Sequence, residues 1–258
     1  MTHELAGKLE AAGVAFTTRW LEGWRELAPE TVELRHFGSA LAPASHALPE
    51  LDFANRVMGL TPADEGHVEE IVAFYRQRGL RPWFELVPAP GFDRLAERLA
   101  AAGAAQIGFH GVLFGAPDAV SEPPSVTVRR VEPGEAPLFA ATHLRGHEVS
   151  EADPRPVERW AAVEGWDLYL AEIEGEPAAT AAMSFQDGIA YLANAATIPA
   201  WRGRGCQTAL IARRVADARA AGAAVLTSQA EFASSSHRNL ARAGLEVAFT
   251  KAVWRLRR

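Results

Sequence analysis

The chain has 258 residues, 48% apolar and 22% charged, the composition of a folded protein rather than a disordered one. No apolar run approaches the roughly 18 residues that span a bilayer, and the start, Met1-Thr-His-Glu-Leu, has no basic-then-apolar leader pattern. The net charge is −6, with 17 acids against 10 bases over 1–125 and 15 against 16 over 126–258, a balance that argues against nucleic-acid or anionic-membrane binding. The single cysteine, Cys206, excludes an internal disulfide and a multi-cysteine zinc site. Together these features lead us to expect a soluble protein of a reducing cytoplasm. Of the 26 basic residues 24 are Arg, which with the many alanines reads as coding bias of a GC-rich genome.

The first half shows fewer elements. Residues 75–79 end a helix, 83–87 read as a strand and 92–102 as a helix. The stretch 116–125, with three prolines among acids and small residues, cannot continue a helix or a central strand. It reads as a linker, giving domains 1–115 and 126–258. Beyond it, 126–131 reads as a strand, 133–144 and 157–163 as helices, and 166–173 as a strand. Two strands, 177–186 and 189–198, flank Asp187-Gly188, a hairpin signal because both positions tolerate positive φ. A helix over 206–221 carries Ile211, Val215, Ala218 and Gly222 on one face, with Arg213, Arg214 and Asp217 off that stripe. A strand over 225–229, a helix over 234–243 stopped by Gly244, and strand structure over 245–254 follow.

The later part of this order recurs, weakly, in the first half. The segment ending at Gly103, with Phe109, parallels the segment ending at Gly244, with Phe249. The stop glycines 79 and 103 match 222 and 244. Phe53-Ala-Asn55 parallels Tyr191-Leu-Ala-Asn194.

The motif that carries chemistry is Arg202-Gly203-Arg204-Gly205-Cys206-Gln207, between a strand and a helix. Its glycines permit a tight turn and close approach of a ligand. The next helix leaves its first N–H groups unpaired at the positive end of its dipole, an anion site. Arg202 and Arg204 add charge suited to phosphate oxygens. A nucleoside triphosphate loop needs a Lys that is missing here, and a dinucleotide fingerprint needs a glycine where Thr208 stands.

Strand-Pro-x-Trp-Arg-Gly-x-Gly-helix resembles motif A of the GCN5-related N-acetyltransferases (GNAT), and the element order of 126–258 is similar to theirs. The Ser235 to Asn239 stretch, followed by Ala-Gly-Leu245, resembles their last helix. The whole chain resembles two-domain bacterial GNAT proteins with a degenerate first copy. The resemblance implies an α/β (α+β) fold of two tandem GNAT-like domains, each a mixed, mainly antiparallel twisted sheet flanked by helices. It implies acetyl transfer from acetyl-CoA to a small-molecule amine, by direct attack in a ternary complex. The N–H groups of Arg202, Gly203, Arg204, Gly205, Cys206, Gln207 and Thr208 would hold the CoA pyrophosphate. Ala195, Ala196 and Thr197 would pair with the pantetheine arm, and a backbone N–H there would hold the thioester oxygen as charge develops on it. Asn239 matches a position near the pantetheine or its sulfur. A catalytically silent acyl-CoA-binding protein is the alternative; an acyltransferase acting on a protein N-terminus or lysine is a third. The sequence leaves the oligomeric state open.

Two positions depart from the family pattern. Gln207 stands where Gly or Ala is usual, and its side chain is expected to crowd the turn. Leu240 stands where many members have the Tyr that protonates the leaving thiolate; Ser235, Ser236 and His237 are the nearest replacements. Glu231 is the candidate general base, against an exposed loop glutamate. His147-Glu148 falls where the family places its acceptor loop. His143 and His147 are four apart, but no third metal ligand accompanies them. Cys206 at a helix start has the setting of an activated thiol, yet a bound pyrophosphate would block it. In the first half the loop position holds Thr61-Pro62-Ala63-Asp64-Glu65-Gly66, a capping-box pattern with proline at the first helical position. Its own carboxylates would repel pyrophosphate, so this copy is expected to bind no CoA.

Overall fold

The structure is a computed structural model and describes residues 2–46, 49, 52–121, 123 and 125–257. Glu122 and Pro124 of the expected linker lie outside the described residues, as does Arg258. In chain order the elements are α1 (His3–Leu27), β1 (Val32–Phe37), β2 (Ala40–Ser45), β3 (Arg56–Leu60), α2 (Val68–Arg76), β4 (Trp83–Leu86), α3 (Phe92–Ala101) and β5 (Ala104–Gly115). Then come β6 (Thr127–Arg130), α4 (Ala136–Gly146), α5 (Arg155–Glu158), β7 (Trp166–Ile173), β8 (Glu176–Gln186), β9 (Ile189–Thr197), α6 (Cys206–Ala220), β10 (Val225–Glu231), α7 (Ser235–Arg242) and β11 (Glu246–Leu256). The chain forms two units. One holds 1–112, 230–232 and 248–258, and the other holds 113–229 and 233–247. The last strand is therefore shared out: from Ala248 it belongs to the first unit.

In the first unit the strand order is β1-β2-β3-β4-β11-β5. β1 and β2 form a hairpin, β3 runs parallel to β4, and β11 runs antiparallel to β4 from Ala252↔Leu86 to Arg255↔Trp83. α2 and α3 bury Ile71, Phe74, Tyr75, Leu95 and Leu99 with Val57, Phe84 and Leu256. Helix α1, absent from the sequence reading, starts where Leu5 N–H caps onto Thr2 Oγ1 at 3.2 Å. Phe53-Ala-Asn55 does not parallel Tyr191 to Asn194. Asp52–Asn55 is a 3-10 turn before β3, with Asn55 Oδ1 accepting from Ser45 N–H at 2.9 Å, whereas 191–194 lies inside β9.

A charge cluster ties this unit together. Glu85 on β4 is 1% exposed. Its Oε1 meets Arg56 Nη1 at 3.0 Å and His110 Nδ1 at 2.5 Å, and its Oε2 meets Lys251 Nζ at 2.7 Å. Lys251 also reaches Glu10 of α1 at 2.9 Å. Burial alone would raise the Glu85 pKa, but Lys251, Arg56 and His110 outweigh it and hold the carboxyl well below its usual range.

The capping-box residues of this unit form a 3-10 turn, Pro62–His67, ahead of α2. Asp64 is 4% exposed and faces inward. It accepts from Ser39 N–H (2.9 Å), Ser39 Oγ (2.5 Å), Thr61 N–H (3.0 Å) and Thr61 Oγ1 (2.7 Å). β3 and β4 pair from Arg56↔Trp83 to Val57↔Phe84, shift register, and pair again at Leu60↔Leu86.

In the second unit the order is β10-β9-β8-β7-β6. β6 to β9 are successively antiparallel, and β10 runs parallel to β9. The Asp187-Gly188 turn joins β8 to β9, with φ of 50° and 75°. Arg213 and Asp217 of α6 lie off the apolar stripe, as the periodicity indicates. Asp217 accepts from Arg130 Nε (2.8 Å), Arg213 Nε (3.1 Å) and Tyr169 OH (3.0 Å), which fastens α6 to β6 and β7.

Burial raises the Asp64 pKa, yet the bonds from Ser39 and Thr61 hold it below the usual carboxylate range. Its stabilisation is therefore complete above the unfolded pKa of about 3.9 and is lost as pH falls through the lower folded value. Asp64→Ala leaves buried donors unpaired and is expected to cost about 1–3 kcal/mol in urea unfolding at pH 7. The loss relative to the parent shrinks below about pH 4.

Candidate functional site

After β9 the chain makes a 3-10 turn, Pro199–Trp201, and enters α6 through 202–205. Gly203 and Gly205 have φ of 77° and 88°, a region closed to most side chains. The first bond of α6 runs from Ala209 N–H to Gly205 O at 3.0 Å. The N–H groups of Cys206, Gln207 and Thr208 thus have no acceptor within the helix and sit at its positive end. Arg204 is exposed beside them, its guanidinium 4.8 Å from the Trp201 ring and 3.9 Å from Glu174. A Cβ at Gly205 would lie 3.3 Å from Pro123, so the described part of the linker packs against the loop.

The strand leading into this loop is paired on one side only at its end. β9 and β10 are in register from Val225↔Ile189 to Thr227↔Tyr191 and part beyond. Ser228 Oγ donates to Leu192 O at 2.7 Å in place of a ladder bond. On the other edge β9 bulges against β8: Ala182↔Ala193 is followed by Thr180↔Ala196, so Asn194 and Ala195 oppose Ala181 alone. Asn194 takes the left-handed φ of 44° that asparagine tolerates. Arg214 of α6 underlies the bulge. It is 2% exposed and donates from Nη1 to Ala182 O (3.1 Å) and Ala193 O (3.4 Å), and from Nε to Leu210 O (3.0 Å). Burial pushes this guanidinium down to about 10. The sequence periodicity places Arg214 off the apolar face. The structure corrects this: its carbonyl acceptors belong to strands distant in sequence.

The end of β9 is held by side chains. Gln207 does not crowd the turn; its Nε2 donates to Thr197 Oγ1 at 2.9 Å. Arg202 is turned toward protein atoms: Nε donates to Thr197 O (3.2 Å), and Nη2 to Gly146 O (3.2 Å) and Glu148 Oε2 (3.0 Å). α4 ends directly on β9: a Cβ on Gly146 would lie 2.8 Å from Ala196 Cβ and 3.2 Å from Thr197 N. One turn earlier, His143 is buried with Nδ1 2.9 Å from Thr180 Oγ1, stacked on Phe139 and edge-on to His147. Burial, and then His147, push its pKa well below the usual imidazole range. Cys206 is buried, with its thiol 3.9 Å from Trp201 O, and burial pushes its pKa up, against the activated-thiol reading.

The structure therefore joins Ala196, Thr197, Arg202 and Gln207 directly, with Gly146 and Glu148. The candidates for proton transfer are less bound. Glu231 is the last residue of β10 and is grouped with the first unit, while Ser236 and Asn239 are on α7 in the second. Glu231 and Ser236 are exposed, and their side chains have no hydrogen bond or ion pair among the described residues. Asn239 Oδ1 accepts from Arg242 Nη2. Leu240 is buried in the apolar core. Among the described residues no three His, Cys, Asp or Glu side chains cluster as a metal site. No described helix is long and apolar enough to cross a membrane.

This strand–loop–helix site lies inside the stretch, residues 138–244, that matches the model of the acetyltransferase (GNAT) family. Residues 138–244 are thus similar to a GNAT domain. The fold of the whole chain is similar to that of a GCN5-related N-acetyltransferase from Kribbella flavida, at 20% identity and TM-score 0.60, covering 93% of this chain and 94% of that one. It is similar also to a tandem GNAT protein from the clavulanic acid biosynthesis pathway (13%, TM-score 0.61, 92% and 86%). A functionally unknown conserved protein from Staphylococcus epidermidis shares the fold at 10% identity (TM-score 0.61, 90% and 96%). No curated protein matches the sequence. Within this stretch, Arg214 and Gly146 are the positions that sequence reasoning missed. Both act through contacts with β9, which lie far from them in sequence.

Two outcomes are expected from these contacts. Gly146→Ala forces α4 off β9 and is expected to destabilise the protein by about 1–3 kcal/mol in denaturant unfolding. Because the folded state keeps His143 neutral, stability is constant above the unfolded pKa of about 6.5 and falls as pH drops below it. His143→Phe is expected to flatten thermal midpoints measured between about pH 6.5 and 5.

Proposed function

We propose that this protein is an acyl-CoA-dependent N-acetyltransferase that moves an acetyl group from acetyl-CoA to the amine of a small molecule. The observation that carries this reading is the parting of β9 from β10 directly before an anion-binding helix start, within the stretch similar to a GNAT domain. The N–H groups of 203–208 and the Arg204 guanidinium suit the two phosphates of CoA. The unpaired edge of Ala195, Ala196 and Thr197 suits the amide groups of the pantetheine arm, which would complete the ladder that β10 abandons. A backbone N–H near the Asn194–Ala195 bulge is oriented by the strand rather than by a mobile side chain, as stabilisation of a developing oxyanion requires. The amine attacks the thioester carbonyl, the C–S bond breaks, and acetyl passes to nitrogen without an enzyme-bound intermediate. The amine's proton goes to a base, for which Glu231 is the candidate, and the thiolate takes a proton, for which Ser236 is the candidate. Asn239 would lie along the pantetheine.

The first unit is assigned no CoA. Its β3 and β4, though irregular between Val57 and Leu60, pair again at Leu60↔Leu86, and Asp64 occupies the turn before α2 with its own carboxylate. A catalytically silent acyl-CoA-binding protein is the second reading, favoured by the buried Leu240 and by the lack of side-chain partners for Glu231 and Ser236 among the described residues.

Isothermal titration with acetyl-CoA tests the assignment, and one site per chain is expected. Arg204→Glu with Gly205→Glu should weaken binding by roughly a hundredfold, about 2.7 kcal/mol. Thr208→Glu adds charge to the same donors at a helix position that favours a carboxylate, so it should weaken binding while the fold is kept. Two sites, or unaltered affinity in both variants, would sink the loop assignment. Thiol release with an amine panel then separates enzyme from silent module.

A further inference from the structure

Two residues at the end of α4 break local rules in opposite directions. Val149 N–H bonds Leu144 O at 3.0 Å and Glu148 N–H bonds Arg145 O at 3.1 Å, the paired bonds that close a helix with a left-handed residue. That left-handed position, where glycine is the favoured residue, holds Glu148 at φ 60°. The glycine stands instead two residues earlier, at Gly146, inside the last helical turn where it weakens the helix. Helix propensity alone would exchange them. Contacts made outside the helix explain both. Gly146 lets the backbone of α4 lie on Ala196 and Thr197. Glu148 presents its carboxylate to Arg202 at 3.0 Å, and the same Nη2 holds Gly146 O at 3.2 Å while Nε holds Thr197 O at 3.2 Å. The ion pair is 52% and 63% exposed at its two side chains, so it adds little to global stability. A strained backbone kept for an ion pair of small energetic value points to placement of a segment.

We propose that Arg202 is a positioning residue for the segment 147–153, latching it through Glu148 to the end of β9, and is not itself a phosphate ligand. The cation that opens the loop motif thereby serves the acceptor side of the site, and Arg204 with the backbone serves the phosphates. This rests on the reading of the loop as the acyl-CoA site.

Amide hydrogen exchange over 149–153 and titration with CoA test the latch together, on the full chain. Glu148→Gly removes the carboxylate and relieves the left-handed strain. Its thermal midpoint should equal or exceed the parent's while the segment exchanges about tenfold faster. Arg202→Met keeps the stem but no donor. It should speed the same amides by about tenfold and leave those of β7 and β8 unchanged. Arg202→Lys, which keeps charge and three donors, should return most of the protection. CoA affinity should stay within about threefold of the parent in all three variants, against the roughly hundredfold loss from the loop charge reversal. Unchanged exchange in Glu148→Gly or Arg202→Met, or a larger loss of CoA affinity in Arg202→Met, overturns the proposal. If the parent binds no CoA, the functional reading falls, while the exchange comparison still judges the latch.

Discussion

Beyond Tyr191, β9 has a strand neighbour on one edge only, and the elements around its last six residues answer to that constraint. A strand edge left without a ladder carries donors and acceptors that must be satisfied or deliberately kept available. Arg214 takes up carbonyls at the bulge, Ser228 takes one where β10 departs, and Gln207 and Arg202 hold Thr197 from the loop. α4 closes on the same residues so tightly that a single methyl group would not fit at Gly146. What is left over is a short stretch of backbone, rigidly held and open along one edge, leading straight into the positive end of a helix.

Features of the second unit were legible in the sequence where their causes are local. Asp187-Gly188 makes its turn because those two residues accept positive φ, and the glycines at 203 and 205 announce the loop for the same reason. Gly222 and Gly244 end α6 and α7 as read. Features whose causes are distant in sequence were not legible. Arg214 looks like a surface residue until the carbonyls of Ala182 and Ala193 come under it. The contacts of Arg202 with Gly146 O and Glu148 likewise join residues more than fifty positions apart. Helix α1 was missed because its docking residue Glu10 makes sense only with Lys251 in place.

The two units use the turn between a strand and a helix in different ways. Both units carry a strand, a turn and a helix in the same order, but in one the turn offers N–H groups outward and in the other Asp64 takes up the N–H groups and hydroxyls of Ser39 and Thr61. A carboxylate built into the turn satisfies those donors permanently and gives rigidity where the second unit keeps adaptability. The acidic character of the first half has this structural use besides its effect on solubility.

The division of β11 has a consequence for how the chain comes to be folded. Glu85 is buried on β4 among groups that include Lys251, and residues 252–255 supply β4 with its hydrogen-bonded neighbour. During synthesis the first 112 residues leave the ribosome with Glu85 still without its Lys251 partner and with an open strand edge on β4. The remainder of the chain must be translated before either is closed. Vectorial, domain-by-domain folding is thus denied to the half that is made first. The β4 edge stays open for the time needed to translate well over a hundred further residues, and an open edge invites pairing with other chains.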